Sequence, residues 1–251
     1  MRIHQLEGYI QSIYLVEYDH GLLLLDGCCR ADVGVVLRFI GQQLARPVTD
    51  LKLVVVTHMH PDHAGGATRL RELTGCQVAT GQAAGHWYGG LEGRLMHLTD
   101  VVLAQYVARR MRKRARRIWY PATLAADVLL ADRQPLPQFP DWCALATHGH
   151  TDRDISLYHA EAGRVYVADL MVKVKRRYLP PFPVFHPNRY RASVAKVRAL
   201  NTPTVILAHG GEVTLSDEEY EHLLRRAPNE PKTHWRAFKA RLQRALLPLR
   251  G

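Results

Sequence analysis

The feature that most constrains this chain is an apolar run that ends in a cluster of histidines. Residues 51–57 read LKLVVVT and predict a strand, and the histidines follow within residues 57–66, THMHPDHAGG. A short apolar run rich in β-branched residues is typical of a strand that is buried on both faces. Side chains that directly follow such a strand lie at the carboxyl edge of the sheet, where open α/β folds have their functional sites. The segment therefore predicts an α/β fold with a functional site just after this strand.

The polar side chains of this segment are of the types that bind transition metals. His58 and His60 are two positions apart, so on an extended backbone both imidazoles point to the same side. Asp62 and His63 follow a turn at Pro61, which lets them face the same space. Imidazole and carboxylate groups are ligands that zinc and neighbouring transition metals accept. This density of histidine and aspartate predicts a metal site rather than isolated surface side chains.

Two strand-rich halves are predicted on either side of a helical insert. Helical spacing and capping signals predict helices at residues 32–45 and from residue 67 to about 74. Two further helices are predicted within about 216–247, and the second of them covers 235–247. No repeat or low-complexity linker divides the chain, so residues 1–251 are predicted to form a single domain. Further short apolar runs predict strands at residues 12–16, 22–26, 144–147, 155–159, 165–168 and 204–208.

The helical insert is predicted at about residues 96–131. Its apolar residues recur three or four positions apart, which is typical of a helix with one apolar face. The pattern predicts that this stripe packs on the body of the protein while the arginines face the solvent. The stripe consists of Leu103, Val107, Met111, Ala115 and Ile118.

The histidine cluster resembles the first motif of the metallo-β-lactamase superfamily of metal-dependent hydrolases, His-x-His-x-Asp-His, and matches it in full. Later segments resemble the family's other motifs in the expected order. THGHTDRDISLYH resembles the Gly-His-Thr motif and implies His150 as a ligand, and VYVADLMV implies Asp169 as the aspartate that bridges two metals. VILAHGG resembles the final His-Gly element and implies His209, while LLLLDG implies Asp26 as a structural aspartate.

The resemblance implies a fold and a set of metal ligands. The fold is an α/β four-layer αββα sandwich of two mixed β-sheets with outer helices, here with the helical insert. The cofactors are two divalent metal ions, Zn²⁺ in the first place, with iron or manganese as alternatives. The first metal would be bound by His58, His60 and His150, the second by Asp62, His63 and His209, and both by Asp169.

The resemblance also implies a type of reaction. A two-metal hydrolase uses a hydroxide that bridges the metals as its nucleophile, and Asp62 is implied as a catalytic residue that steers the nucleophile or protonates the leaving group. The expected substrate is a small ester, lactone or thioester. Two other activities of the same superfamily stay open: a nucleic-acid phosphodiesterase, and iron-dependent oxidation of a thiol substrate. The sequence contains neither GxSxG nor GxxxxGK[ST], which excludes a serine-hydrolase elbow and a P-loop.

Two departures from the family pattern leave alternatives open. His148 stands where many members have proline, and on a strand it would point to the same side as His150. It is therefore either a residue outside the ligand set or a replacement for His150 as ligand. Cys28 and Cys29 follow Asp26 in place of a more typical glycine-rich turn, and they are either small buried side chains or neighbours of the site.

The net charge of +11 comes from two basic segments, RRMRKRARR at 109–117 and KVKRR at 173–177. The other 23 Lys and Arg equal the 23 Asp and Glu in number, so nucleic acid is a less favoured partner than a small molecule. If these segments form a basic rim near the site, they would favour an anionic substrate. The alternative interpretation is that residues 109–117 have no role in binding and are merely the solvated face of a helix. Substrate contacts are predicted for Trp87, Tyr178 and His186.

The location and assembly of the protein are constrained more weakly. The four cysteines include no CxxC pair, which is typical of a reduced intracellular protein. Apolar runs are shorter than the roughly 18 to 20 residues of a membrane span, and the first residues lack the pattern of a signal peptide. The sequence therefore predicts a cytoplasmic protein without a membrane span. Its oligomeric state stays open, and a homodimer is compatible with the sequence.

Overall fold

Two β-sheets form the framework of the fold. The computed structural model describes residues 1–234 and residue 236. The first sheet contains, in spatial order, β1 (Arg2–Glu7), β2 (Ser12–Tyr18), β3 (Gly21–Leu24), β4 (Leu51–Val56), β5 (Gln77–Gly81) and β6 (Val128–Leu130). The later strands are β7 (Pro135–Leu136), β8 (Phe139–Ala146), β9 (Ile155–His159), β10 (Arg164–Tyr166), β11 (Val172–Val174), β12 (Arg177–Leu179), β13 (Thr204–Leu207) and β14 (Gly211–Val213). Of these, β11 and β12 form a separate hairpin, and the others form the second sheet in the order β14-β13-β10-β9-β8-β7.

Both sheets mix parallel and antiparallel strands, as predicted. In the first sheet, β1 to β3 pair antiparallel and β3 to β6 pair parallel. In the second sheet, β10 and β13 are parallel, whereas the other neighbours are antiparallel. The carboxyl ends of β10 and β13 therefore lie at the same edge of the second sheet.

Three apolar clusters hold the layers of the fold together. One lies between the sheets and includes Leu53 and Val55 of β4 together with Trp142 of β8. A second covers the outer face of the first sheet and includes Val54 and Val56, so β4 is buried on both faces, as its sequence predicts. A third packs the last two helices on the second sheet. The α-helices of the described residues are α1 (Val33–Arg38), α2 (Pro61–Ala64), α3 (Ala67–Thr74), α4 (Gly90–Arg110), α5 (Pro187–Arg198) and α6 (Asp217–Arg226).

The predictions that rest on strong local signals are confirmed. β9 has the predicted bounds, and β4 ends at Val56, one residue before the predicted end. α3 ends at Thr74, and Gly75 follows it with φ 74°, a left-handed conformation that glycine adopts at little cost. The predicted capping box of α6 is present at Ser216.

Weaker signals led to partial or missing predictions. The helix predicted at 32–45 is shorter, because α1 continues as a wider π-type turn over Phe39–Gln43. Strands β1 and β5 and helix α5 are among the elements that were not predicted. The helix predicted at 235–247 lies outside the described residues, and the single-domain organisation stays a prediction. Within residues 1–234 and 236, no helix combines the length and apolar character that a membrane span needs.

The helical insert differs from the prediction in extent and in orientation. α4 begins at Gly90 and ends at Arg110, and residues 111–127 contain no helix or strand. The predicted apolar stripe is wrong for Val107 and Met111, which are 42% and 47% exposed, whereas Ile118 is buried as predicted. The buried face of α4 instead carries small and polar residues, namely Gly93, His97, Asp100, Val101, Ala104 and Ala108.

Contacts with two tyrosines explain which face of α4 is buried. Asp100 accepts a hydrogen bond from the Tyr88 hydroxyl at 2.9 Å, and the His97 ring packs edge-on against the Tyr88 ring at 4.9 Å. The Tyr120 ring lies 4.7 Å from the ring of His97, and a side chain at position 93 would collide with the backbone of Tyr88, so only Gly93 fits. The opposite, exposed face carries Leu91, Leu95, Leu98, Val102 and Tyr106.

Candidate metal centre

Loops that follow four strands bring together the side chains predicted as metal ligands. They form two groups, and within each group the ligand-type atoms lie within 4.8 Å of one another. The most exposed of these side chains, that of His209, is 26% exposed. The first group consists of His58, His60, His150 and Asp169, and the second of Asp62, His63 and His209.

Three imidazole nitrogens converge in the first group. His60 Nδ1 lies 3.1 Å from His58 Nε2 and 2.9 Å from His150 Nε2. Burial and the neighbouring histidines lower the pKa of His58 well below its ordinary value and the pKa of His60 to about 3. Both imidazoles are therefore neutral, and a neutral imidazole has the free electron pair that a metal ligand needs.

Three carboxylates surround His63 of the second group. Asp62 Oδ2 lies 3.2 Å from His209 Nε2 and 3.6 Å from His63 Nε2. Although burial opposes a charge on the imidazole, the carboxylates of Asp62, Asp26 and Asp169 raise the pKa of His63 well above its ordinary value. This surplus of negative charge favours a cation at the second group.

Asp169 lies between the two groups. Its Oδ1 is 3.4 Å from His63 Nε2 and 3.4 Å from His209 Nε2. Its Oδ2 is 3.6 Å from His150 Nε2 and 4.0 Å from His58 Nε2. Burial opposes its ionisation, but the adjacent His63 and His209 hold the pKa of Asp169 well below the usual range. Each carboxylate oxygen thus faces a different group.

The distances and donor types fit bound metal ions. A tetrahedral ion about 2.1 Å from each ligand holds its ligands about 3.4 Å apart, and the contacts just given range from 2.9 to 4.0 Å. Within residues 1–234 and 236, the buried atoms His63 Nε2 and Asp169 Oδ1 have no hydrogen-bond partner. Buried polar atoms rarely stay unpaired, and an ion at the second group would satisfy both.

Asp26 has the structural role that the sequence predicts for it. Its Oδ2 lies 2.6 Å from His63 Nδ1 and also accepts hydrogen bonds from the Thr57 and Tyr166 hydroxyls, at 2.8 and 3.0 Å. Its Oδ1 accepts the backbone N–H groups of Gly27 and Thr57 at 3.0 and 3.1 Å. A carboxylate on Nδ1 directs Nε2 of the same ring towards a metal.

His150, rather than His148, points into the first group. β8 ends at Ala146, and Gly149 has φ 148°, so the chain turns before His150 and the two side chains do not share one side of a strand. A Cβ at Gly149 would collide with Tyr190, which makes glycine necessary there. The imidazole of His148 belongs to neither group. The alternative in which His148 replaces His150 therefore has no support in the geometry.

The two cysteines near the first motif are small buried side chains. Cys28 and Cys29 have no exposed surface, and burial raises the pKa of both thiols. A protonated thiol is a poor nucleophile and a poor metal ligand. Cys28 Sγ instead fills the space beside Gly66, where a Cβ would lie 2.7 Å from it. This confirms the interpretation of both cysteines as core residues.

An apolar cleft of about 540 Å³ adjoins the first group. The backbone N–H of Phe185, in its wall, donates to the carbonyl of His150 at 3.3 Å. Met96, in the opposite wall, lies one helical turn before Asp100, whose Oδ2 is 3.7 Å from His60 Nε2. The cleft is lined by Glu92, Leu95, Met96, Thr99, Phe185, Thr233 and His234.

The three predicted substrate residues occupy different places. The half-buried ring of Trp87 packs edge-on against Phe185, with 5.0 Å between ring centroids. Tyr178 is 7% exposed and packs in the cluster beneath α6, where it lines another cleft. His186 precedes α5, and its backbone N–H donates to the Gly149 carbonyl at 3.0 Å. The sequence did not predict the residues that line the apolar cleft, because segments far apart in the chain contribute them: α4, Phe185 and residues 233–234.

The two basic segments differ in their relation to the site. Residues 109–117 begin in the last turn of α4 and continue beyond its end, and their basic side chains are exposed except for Lys113, which pairs with Glu7. Residues 173–177 lie next to the second group, since the backbone N–H of Lys173 donates to the carbonyl of His209 at 3.3 Å. Only the second segment is close enough to form a rim of the site.

Comparison with known proteins identifies the family. Residues 6–209 match the model of the Metallo-beta-lactamase superfamily, whereas no curated protein sequence matches the chain significantly. A metallo-beta-lactamase family protein from Thermus thermophilus is 20% identical, with a TM-score of 0.66 over 99% of this chain and 83% of that chain. An archaeal metallo-beta-lactamase superfamily protein from Sulfolobus tokodaii is 16% identical, with a TM-score of 0.63 over 89% of this chain and 84% of that chain.

A third similar structure has a named subclass. BJP-1, a subclass B3 metallo-beta-lactamase of Bradyrhizobium japonicum, is 17% identical, with a TM-score of 0.58 over 96% of this chain and 91% of that chain. At such identities, the structural similarity shows the fold alone. The family itself rests on the match to residues 6–209, which cover most of the sequence. The chain therefore belongs to the metallo-β-lactamase superfamily.

Proposed function

We propose that this protein is a two-metal hydrolase that cleaves a small ester, lactone or thioester. The observation that carries the proposal is the position of Asp169, whose two carboxylate oxygens face two separate groups of ligand-type side chains. An aspartate in that position suits two ions held side by side, as in binuclear hydrolases. The match to a superfamily of mostly metal-dependent hydrolases supports the same conclusion.

The proposed ligands divide between the two ions. Bound divalent metals supply a nucleophile from water at neutral pH and polarise the oxygen on which negative charge develops. Zinc is the metal we propose, because histidine and carboxylate donors at these separations suit it. His58, His60 and His150 would hold the first ion, Asp62, His63 and His209 the second, and Asp169 both.

Asp62 is the residue that we assign to proton transfer. Burial opposes its charge, but the adjacent His63 and His209 lower the pKa of Asp62, so the carboxylate is ionised at neutral pH. An ionised carboxylate next to the reacting water can accept its proton and pass that proton to the leaving group. The side-chain amide of Gln11 donates to the backbone carbonyl of Asp62 and holds this turn in place.

The cleft beside the first group supports a substrate with an apolar part. A cavity of about 540 Å³ has the size of a small-molecule site, and Leu95, Met96 and Phe185 provide apolar walls. Lys173 lies beside His209 at the second group, which supports an anionic group on the same substrate. We therefore propose an acyl compound that carries a carboxylate or a similar anion.

A substrate panel tests this proposal. Zinc-loaded protein is assayed with lactones and thioesters of increasing acyl length, and with a chromogenic phosphodiester. We expect hydrolysis of the acyl compounds, its loss in the presence of a chelator, and its return on addition of zinc. Phosphodiester cleavage that falls steeply with salt would replace the proposal with a nucleic-acid activity. Oxygen-dependent consumption of a thiol by iron-loaded protein, without hydrolysis, would replace it with thiol oxidation.

A further inference from the structure

Three of the proposed ligand histidines are held in place by a contact to the ring nitrogen that does not face the metal groups, and His60 can be compared with them. In each of them, the ring nitrogen that faces away from the groups contacts a protein oxygen. Contacts of this kind fix the tautomer and the ring orientation of metal-binding histidines. They are His63 Nδ1 to Asp26 at 2.6 Å, His150 Nδ1 to the Pro183 carbonyl at 2.6 Å, and His58 Nδ1 to the Thr57 hydroxyl at 3.1 Å.

His60 faces its group with the opposite nitrogen. Its Nδ1 meets His58 and His150, so its Nε2 points outwards, towards α4. There the carboxylate Oδ2 of Asp100 lies 3.7 Å from Nε2, and both side chains are at most 10% exposed. This separation is longer than a hydrogen bond, so a small shift of either side chain is needed before His60 can donate to the carboxylate.

A buried polar network holds Asp100 in this position. The Tyr88 hydroxyl donates to Asp100 Oδ2 at 2.9 Å and lies 3.2 Å from the Tyr120 hydroxyl. Both hydroxyls also contact the backbone carbonyl of Met59, the residue between His58 and His60. Tyr88 and Tyr120 are 3% and 2% exposed. The network therefore connects the insert to the loop that carries the first ligands.

We propose that Asp100 is a positioning residue that orients His60 for the first metal. When the two side chains approach each other, the carboxylate accepts a hydrogen bond from the Nε2–H group of His60 and so keeps the Nδ1 electron pair directed into the group. The inference rests on the proposed function, and it gives α4 a second role beyond that of a cleft wall. It also explains why an aspartate occupies the buried face of this helix, where an apolar residue would otherwise pack.

The test measures zinc affinity in two backgrounds that each keep one group intact. In His209→Ala, which keeps the first group, Asp100→Asn should weaken zinc binding about 10- to 100-fold in competition with a chromophoric chelator. In His150→Ala, which keeps the second group, the same change should leave the affinity unaltered. Cobalt absorption spectra of the His209→Ala background should change with Asp100→Asn, because the orientation of one ligand changes.

Asp32→Asn is the matched control. Asp32 has no exposed surface and accepts a hydrogen bond from the Tyr9 backbone N–H at 3.0 Å, but it contacts no proposed ligand side chain. Its replacement should leave zinc affinity unaltered in both backgrounds. If circular dichroism shows that Asp100→Asn does not fold, Tyr88→Phe replaces it, and a smaller loss confined to the His209→Ala background is expected.

The outcomes separate this inference from the proposed function. Unaltered first-group affinity in Asp100→Asn, or an equal loss in both backgrounds, would overturn the positioning role and leave the two-metal proposal standing. A parent protein that binds no zinc would overturn the two-metal proposal itself, and the inference with it.

Discussion

Replacing Asp26 by asparagine is the most informative perturbation of the scaffold beneath the second group. Asn has nearly the same shape, but it offers one acceptor oxygen where the carboxylate has two. Oδ1 of Asp26 accepts hydrogen bonds from two backbone N–H groups, whereas Oδ2 contacts His63 and accepts hydrogen bonds from the hydroxyls of Thr57 and Tyr166. Whichever way the amide turns, at least two buried donors lose their acceptor.

The size of the effect follows from that count. A buried donor left without a partner costs about 1–3 kcal/mol, so two such donors should lower the free energy of unfolding by about 2–6 kcal/mol. Urea unfolding of the metal-free protein measures this difference without a contribution from metal binding. Tyr166→Phe removes one donor to Asp26 and keeps the carboxylate, so a loss of about 1 kcal/mol is expected.

Two results would refute this reasoning. One is an Asp26→Asn protein whose free energy of unfolding equals that of the wild type. The other is a Tyr166→Phe protein that is destabilised as much as Asp26→Asn, because the carboxylate would then not be the centre of the network.

Three further predictions concern the ligands, the cleft and a buried carboxyl. His148→Ala should keep its metal and His150→Ala should lose the first ion, as elemental analysis would show; the reverse result would mean that the ligand assignment is wrong. Met96→Trp should fill part of the apolar cleft and raise KM for long acyl substrates at least about tenfold, which corresponds to 1.4 kcal/mol of binding free energy. KM for acetyl substrates should change little. Equal effects on both kinds of substrate would mean that the acyl chain binds elsewhere. Burial raises the pKa of the Asp32 carboxyl to about 6 in the folded protein. The unfolded chain therefore loses this proton at a lower pH than the folded protein, and the free energy of unfolding falls as pH rises from about 4 to about 6. Asp32→Asn should therefore gain about 1–3 kcal/mol relative to wild type across that window in urea unfolding, and parallel pH profiles of the two proteins would contradict this.

The residues that sequence reasoning placed correctly are those whose positions depend on local structure. His58 and His60 follow one buried strand, and Asp62 and His63 follow the next turn, so their convergence needs only the geometry of one loop. The distant ligands His150, Asp169 and His209 came from the family resemblance alone. No local rule connects the end of β4 with the ends of β8, β10 and β13, because β4 lies in the first sheet and the other three in the second, so that the packing of the two sheets sets their proximity.

The misplaced features depend on tertiary contacts. The buried face of α4 carries small and polar residues, so the periodicity of its large apolar side chains does not tell which face packs inwards. The buried face was selected by Asp100 and His97, whose partners Tyr88 and Tyr120 lie outside the helix. Likewise, Gly149 turns the chain between His148 and His150, so the rule for side chains on one strand did not apply.

The central claim is that Asp169 joins two metal ions in one site. Elemental analysis of protein purified without a metal-binding tag tests it most directly, with Asp169→Ala measured beside the wild type. The account predicts about two zinc ions per wild-type chain and a clear loss of metal in Asp169→Ala, whose circular dichroism should match that of the wild type. A wild-type protein that contains no metal and takes up none when zinc is added would contradict the account.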